Sequence, residues 1–128
     1  MSKTPDTPQG GTPPVMHGKL KQFWQERGEL NDLVLKDAGL TTKRFFSLDH
    51  QAYQPGALNV QTKELLGLVA SLVLRCDDCI AYHIVRCREE GVSGEELEEA
   101  LAIGLVVGGS IVIPHLRRAR RAWSEMEG

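Results

Sequence analysis

Two cysteines and a histidine lie close together in the 128-residue sequence, and their side chains could carry out thiol chemistry. Cys76 and Cys79 enclose the segment CDDC, and His83 follows four residues after Cys79. On a helix of ~100° per residue, Cys79 lies about 60° and His83 about 20° to one side of Cys76, with Cys87 about 20° to the other side. One helix face would therefore present a dithiol, an imidazole and a third thiol.

This arrangement suits redox chemistry. Only the thiolate is nucleophilic, and a helix N-terminus or a nearby imidazolium favours its formation. Thiols three residues apart on a helix can form a disulfide with modest adjustment, and residues four apart lie within reach of a hydrogen bond. Asp77 and Asp78 act in the opposite direction, because negative charge next to a thiol disfavours its ionisation. The same carboxylates stabilise a first helical turn, and the sequence does not decide between the two effects.

Two other interpretations apply to these residues. The cysteines could be small core residues with no chemical role. They could also bind zinc, with Cys76, Cys79 and His83 as three ligands and Glu64 or His115 as the fourth. Structural zinc sites usually draw two ligand pairs from separate turns, and no second pair occurs in this sequence. The redox interpretation is therefore favoured, with no metal or cofactor.

The composition indicates a cytoplasmic globular protein. Hydrophobic residues make up 41% and the formal net charge is −2, which argues against a nucleic-acid-binding protein. The most apolar stretch, residues 103–114, is interrupted by glycines and too short to cross a membrane. No basic-then-apolar signal pattern begins the chain. A close cysteine pair in a reducing compartment points to catalysis or metal binding.

The pattern of apolar residues predicts an all-α fold of about six helices. Residues 1–16 hold four of the six prolines and are predicted to be a flexible leader, so residues 17–128 would form a single helical domain. Helix-start and helix-stop residues divide this domain. The predicted segments run from Leu20 to Gly39, Thr42 to Gln54, Asn59 onward, Asp77 to Glu90, Ser93 to Gly108, and Ile111 or Pro114 to Trp123.

Four of the candidate residues also form a family motif. Eleven residues separate Glu64 from Cys76, and Cys79 and His83 follow at the spacings given above. The stretch TKELLGLVASLVLRCDDCIAYH and the glycines at 108 and 109 resemble the alkylhydroperoxidase D-like branch of the carboxymuconolactone decarboxylase family. The resemblance covers roughly residues 45–120.

The resemblance implies an all-helical homo-oligomer, a trimer or a hexamer, that reduces hydroperoxides with its thiols. Cys79 would attack the peroxide, Cys76 would resolve the sulfenic acid to a disulfide, and Glu64 and His83 would form a proton relay. An unidentified dithiol of the lipoyl or thioredoxin type would supply the electrons. The sequence departs from the best-known peroxidases at Asp78, where they carry histidine. The competing interpretations are a non-redox enzyme like the lactone decarboxylases, which lack the cysteine pair, and a structural helical subunit.

The position of Glu64 relative to His83 depends on where the chain turns. A turn at Arg75 and Cys76 would set Glu64 level with Cys87, an offset of ~6 Å from His83 at about 1.5 Å per residue. A crossing angle, long side chains or one water could bridge this offset. The alternative for Glu64 is a solvated carboxylate near a helix start. Cys87 itself is predicted to be a core residue.

Overall fold

The computed structural model describes residues 13–127, which form six α-helices and one short 3-10 helix. The α-helices are α1 (Gly18–Lys36), α2 (Leu40–Ala52), α3 (Val60–Leu74), α4 (Asp77–Glu89), α5 (Gly94–Gly108) and α6 (Ile113–Ser124), with the 3-10 helix at Ser110–Val112. Within these residues the only extended pairing is an isolated bridge between Met16 and Met126. The predicted all-α fold is confirmed.

Local capping chemistry fixes the starts of α3 and α5. The side chain of Asn59 accepts a hydrogen bond from the Thr62 backbone N–H at 2.8 Å. Ser93 and Glu96 form a reciprocal capping box, with hydrogen bonds of 2.8 and 3.0 Å. Both starts were predicted from the sequence and are confirmed, because each cap depends only on residues three positions apart. The predicted start of α2 was two residues late, since Gly39 supplies the extended residue before Leu40.

The core of the chain lies among α3, α4, α5 and α6. Its fully buried members include Leu68 and Leu72 of α3, Ile84 of α4, and Leu97 and Leu101 of α5. By contrast α1 buries one residue and α2 buries none. None of the helices formed by residues 13–127 is long and apolar enough to cross a membrane.

Two residues connect α3 to α4 and turn the chain sharply. Arg75 adopts the left-handed conformation, with φ of 60°, and Cys76 is extended. The N–H groups of Arg75 and Cys76 donate to the carbonyls of Leu72 and Ser71 at 3.0 and 3.1 Å. These bonds satisfy the last carbonyls of α3 and set α4 beside α3 in a helical hairpin.

The two ends of the described chain are held together. Met16 is buried, the N–H of His17 donates to the Glu125 carbonyl at 2.8 Å, and the N–H of Glu127 donates to the Val15 carbonyl at 2.9 Å. Most of the leader predicted over residues 1–16 lies outside the described residues. Its last members, Val15 and Met16, are joined to the end of the chain by a backbone hydrogen bond and the Met16–Met126 bridge, so the folded part begins before the predicted boundary at residue 17.

Candidate active site

The dithiol of the sequence motif is a disulfide at the start of α4. Cys76 and Cys79 are bonded to each other, with their Cα atoms 5.3 Å apart. Cys76 is the N-cap residue of α4, and its Sγ accepts a hydrogen bond from the Cys79 backbone N–H at 3.2 Å. Cys79 is exposed and Cys76 is half-buried. The pair therefore joins an accessible sulfur to a sulfur that faces the positive end of a helix.

Glu64 and His83 form a buried hydrogen-bonded pair beside the disulfide. Nδ1 of His83 lies 2.9 Å from Oε1 of Glu64, and the two residues are 7% and 1% exposed. The chain turns at Arg75 and Cys76, yet the contact is direct. The solvated alternative for Glu64 is therefore wrong, because this carboxylate is buried between α3 and α4.

Arg86 binds the second oxygen of the Glu64 carboxylate. Nε of Arg86 donates to Oε2 of Glu64 at 3.3 Å, so the carboxylate lies between His83 and Arg86, which are three residues apart on α4. Arg86 also donates to Glu89 and Glu90, both at 3.2 Å. Burial alone would lower the pKa of Arg86, but Glu64 and Glu89 outweigh it and raise the pKa. Glu64 thus has a permanent cation on one oxygen and an imidazole on the other.

Tyr53, at the end of α2, binds the second nitrogen of His83. Burial and then the charge of Glu64 raise the pKa of Tyr53 to about 12, so its phenol is protonated at neutral pH. The carboxylate of Glu64 can only accept, so Nδ1–H of His83 donates to it, and the Tyr53 hydroxyl lies 3.4 Å from Nε2 on the other side of the ring. This approach needs Gly67, because a Cβ there would lie 2.7 Å from both the Tyr53 oxygen and Cε1 of His83.

Aromatic rings attach α1 to this site. The ring of Tyr82 meets His83 edge-on, with 5.1 Å between centroids, and stacks on Trp24 of α1 at 6.1 Å. The guanidinium of Arg27 lies 4.2 Å from the centroid of Tyr82. Burial in this position lowers the pKa of Arg27. The ring of Tyr82, which stacks on Trp24, thus contacts His83 on a side that Tyr53 does not occupy.

A groove runs between α1 and the start of α4. It has a volume of about 510 Å³ and is lined by residues of α1 from Lys19 to Asn31, including Phe23 and Arg27, and by Asp78. Since Asp78 directly precedes Cys79, the groove ends beside the dithiol segment. Its volume falls within the usual range for small-molecule sites.

A second cluster joins α6 to the dithiol segment. Oδ1 of Asp77 lies 2.7 Å from Nδ1 of His115, and its Oδ2 accepts from Arg118 at 3.0 Å. His115, which the sequence suggested only as a possible zinc ligand, and Arg118 thus both bind a residue that lies between the two cysteines.

Cys87 lies apart from the dithiol. It has no exposed surface, and burial, followed by the charge of Glu64, raises the pKa of its thiol. The prediction that it is a core residue is confirmed.

The zinc alternative does not fit the observed contacts. Cys76 and Cys79 are bonded to each other, while the carboxylate of Glu64 is taken by His83 and Arg86. Across residues 13–127, no group of three or more His, Cys, Asp or Glu side chains is placed to hold a metal ion.

The structure joins the motif residues as two pairs on the α3–α4 hairpin, Cys76–Cys79 and Glu64–His83, and adds residues that the sequence did not indicate. Tyr53, Arg86 and Gly67 reach the motif through helix crossings. One signal was accessible for Arg86, since a residue three positions after His83 lies on the same helix face. For Tyr53 no pattern in the sequence connects it to α4.

Known proteins similar to this chain share its fold and part of its sequence. The model of the carboxymuconolactone decarboxylase family matches residues 40–122. The Thermotoga maritima protein TM1620 is 65% identical, with a TM-score of 0.80 over 82% of this chain and 92% of that one. A second crystal structure of that protein describes it as a carboxymuconolactone decarboxylase family protein with a suggested part in the antioxidative response.

Two proteins of lower sequence identity also resemble the chain. A carboxymuconolactone decarboxylase family protein from Legionella pneumophila is 25% identical, with a TM-score of 0.78 over 84% of this chain and 96% of that one. An uncharacterized protein from the cox locus of Paracoccus denitrificans is 27% identical over 84 residues, which are 66% of this chain and 76% of that protein.

Proposed function

Because the chain belongs to the carboxymuconolactone decarboxylase family, we propose that it is a thiol-dependent peroxidase of the alkylhydroperoxidase D-like branch. The observation that carries this proposal is a disulfide at the start of α4 beside a buried Glu64–His83 pair on the same hairpin. The antioxidative role suggested for the Thermotoga maritima relative supports the same class of activity.

The reaction begins with attack by Cys79. Its thiolate bonds to one peroxide oxygen, the O–O bond breaks, and the departing alkoxide takes a proton and leaves as an alcohol. Cys79 then carries a sulfenic acid. Cys79 suits this role because it is exposed and because Asp78, the residue before it, lines the groove along α1.

Cys76 completes the oxidative half of the cycle. Its sulfur attacks the sulfenic sulfur of Cys79, which forms the disulfide and releases water. Reduction then begins when a thiolate of an external dithiol attacks the exposed Cys79 sulfur. Cys76 leaves as a thiolate into the helix N-terminus, where the Cys79 N–H already donates to its sulfur at 3.2 Å. A stabilised leaving thiolate speeds this exchange, and the donor becomes a disulfide.

His83 supplies the proton transfers of both halves. Glu64 fixes its Nδ1, so Nε2 is the nitrogen that exchanges protons, as in other carboxylate–histidine pairs. In the disulfide form Nε2 is bonded by the Tyr53 hydroxyl. After reduction the Cys79 thiol lies one helical turn from His83.

Thiol titration tests the activity. The reduced protein should lose two thiols for each equivalent of hydroperoxide, and a dithiol should restore both. Cys87→Ser is the matched control and should behave in the same way, because Cys87 is buried. Retention of all thiols under excess hydroperoxide would rule out the peroxidase and favour a non-redox enzyme.

Trapping tests the roles of the two cysteines. Cys76→Ser should accumulate a sulfenic acid on Cys79, which dimedone converts to a stable adduct identified by mass spectrometry. Cys79→Ser should give no adduct on Cys76. The opposite pattern would reverse the two roles.

A further inference from the structure

The carboxylate of Asp77 is held by two basic side chains of a different helix. Asp77 follows Cys76 directly and is the first residue of α4. Its Oδ1 lies 2.7 Å from Nδ1 of His115, and Nη1 of Arg118 donates to its Oδ2 at 3.0 Å. Both oxygens therefore face α6.

We propose that Arg118, together with the hydrogen bond of His115, sets the reduction potential of the Cys76–Cys79 disulfide by offsetting the charge of Asp77. This inference rests on one part of the proposed function, namely that the cysteine pair is redox-active. His115 and Arg118 act through Asp77 and are positioning residues.

The physical basis is the charge of the reduced pair. Reduction breaks the Sγ–Sγ bond and takes up two electrons, together with one proton if one sulfur stays a thiolate. A carboxylate beside that thiolate makes the reduced form less stable, and a cation on the carboxylate offsets the penalty. Disulfides whose reduced form is stabilised are the more easily reduced ones.

Other charges around Asp77 do not replace this contribution. Asp77 borders a small cavity of about 150 Å³, whose other charged side chains are Asp78, Lys19, Arg118, Arg121 and Glu125. Glu125 is engaged elsewhere, since its carboxylate accepts from the backbone N–H groups of Lys19 and Leu20 at 3.1 Å. Within this set only Arg118 donates to the Asp77 carboxylate.

A purely structural role would look different. The Asp77–Arg118 pair is partly exposed and would contribute little to stability as an ordinary surface ion pair. If it merely ties α6 to α4, breaking it from either end would disturb the disulfide in the same way. If it acts through charge, removing the cation and removing the anion would have opposite effects.

The measurement is the equilibrium of the full-length protein with glutathione at pH 7. Two glutathione molecules become glutathione disulfide as one Cys76–Cys79 disulfide becomes two thiols. Arg118→Met should lower the equilibrium constant for reduction by about threefold to tenfold, and Asp77→Asn should raise it by a similar factor. A tenfold change corresponds to about 30 mV for this two-electron couple.

Matched variants complete the test. Arg120→Met removes the same charge from the same helix, but Arg120 pairs with Glu98 at 3.9 Å, and this variant should stay within about twofold of the parent protein. His115→Ala should shift the equilibrium in the direction of Arg118→Met. Arg118→Lys keeps the positive charge, and its equilibrium constant for reduction should remain close to that of the parent protein. This variant provides a test at the same position if Arg118→Met does not fold.

Shifts of the same sign in Arg118→Met and Asp77→Asn would overturn the proposal, as would equal shifts in Arg118→Met and Arg120→Met. The measurement uses no peroxide. A protein that consumes no hydroperoxide but shows the opposite shifts would therefore refute the peroxidase and leave this inference standing.

Discussion

His83 is fixed from three directions by Glu64, Tyr53 and the edge of Tyr82. Each contact holds the imidazole in one orientation, and the Glu64 contact also assigns the proton to Nδ1. Because Nε of Arg86 donates to the other oxygen of Glu64, the carboxylate cannot turn away without breaking a second buried charged hydrogen bond. The imidazole that the proposed mechanism uses for proton exchange is thus held by charge as well as by packing.

Glu64→Gln tests this arrangement. The change should slow thiol oxidation by about one to three orders of magnitude, a range typical of lost acid–base assistance. His83→Gln should slow it similarly, and the double variant should be little worse than either single variant, because the two residues act as a unit. Stopped-flow mixing with hydroperoxide measures these rates.

The Glu64→Gln variant should also be less stable, by about 1–3 kcal/mol, because Arg86 loses a buried partner. Circular dichroism at the assay temperature provides the control that both variants remain folded. Fully additive rate losses would contradict the relay, and an unchanged rate in Glu64→Gln would remove Glu64 from it.

Cys87 provides a second prediction at this scale. Since burial raises the pKa of its thiol and leaves it no exposed surface, Cys87 should not react with a thiol reagent in the native protein at pH 8. The reduced native protein should therefore titrate two thiols, and the unfolded protein three. A count of three in the native state would mean that α4 opens readily.

At the scale of the helices, two glycines in helix interiors have opposite roles. Gly67 of α3 leaves the space that Tyr53 and His83 occupy, whereas Gly28 of α1 has no atom within 4 Å of where a Cβ would stand. Glycine costs roughly 0.5–1 kcal/mol relative to alanine within a helix. At Gly67 the helix bears this cost because a Cβ would collide with Tyr53 and His83.

We therefore expect Gly67→Ala to displace His83, to destabilise the protein and to slow thiol oxidation at least tenfold. Gly28→Ala should instead raise the free energy of unfolding by about 0.5–1 kcal/mol and leave the rate unchanged. Thermal melts and oxidation rates of the two variants measure both effects. Equal behaviour of the two alanines would show that the space beside Gly67 is not needed.

Local patterns in the sequence predict the helices well and the site only in part. The starts at Asn59 and Ser93 follow from capping residues, which depend on neighbours in the chain. The pairing of Glu64 with His83 was expected from a family motif. Whether the two side chains touch directly depends on how α3 crosses α4. Tyr53 and Arg118 could not be predicted, because only the tertiary fold brings Tyr53 to His83 and Arg118 to Asp77.

On the scale of the whole molecule, several helices expose apolar side chains that one chain does not cover. Phe45 and Leu48 of α2 are 68% and 63% exposed, and Val106 and Val107 of α5 are 81% and 69% exposed. No residue of α2 is buried. Large exposed apolar surfaces of this kind usually mark interfaces between proteins.

We predict a homo-oligomer, a trimer or a hexamer, that covers these surfaces. Light scattering at micromolar concentration should return a multiple of the 14.2 kDa chain mass. Val106→Glu should reduce the mass, because a buried charge without a partner opposes association, whereas Gln25→Glu on the exposed face of α1 should not. A monomer mass for the parent protein would contradict the prediction.

The position of Cys76 as the N-cap of α4 ties the oxidation state of the protein to its resistance to heat. Folding and disulfide reduction form one thermodynamic cycle. If the folded state favours the reduced cysteine pair, oxidation of that pair must lower the free energy of unfolding. A thiolate at a helix N-terminus is a stronger acceptor than a disulfide sulfur. The reduced protein should therefore melt at a higher temperature than the oxidised protein at pH 8, and the gap should shrink in acid, where the thiol is uncharged. Calorimetry of both forms, with Cys76→Ser as the variant that lacks the gap, measures how much the stability of the fold changes when the cysteine pair is oxidised or reduced.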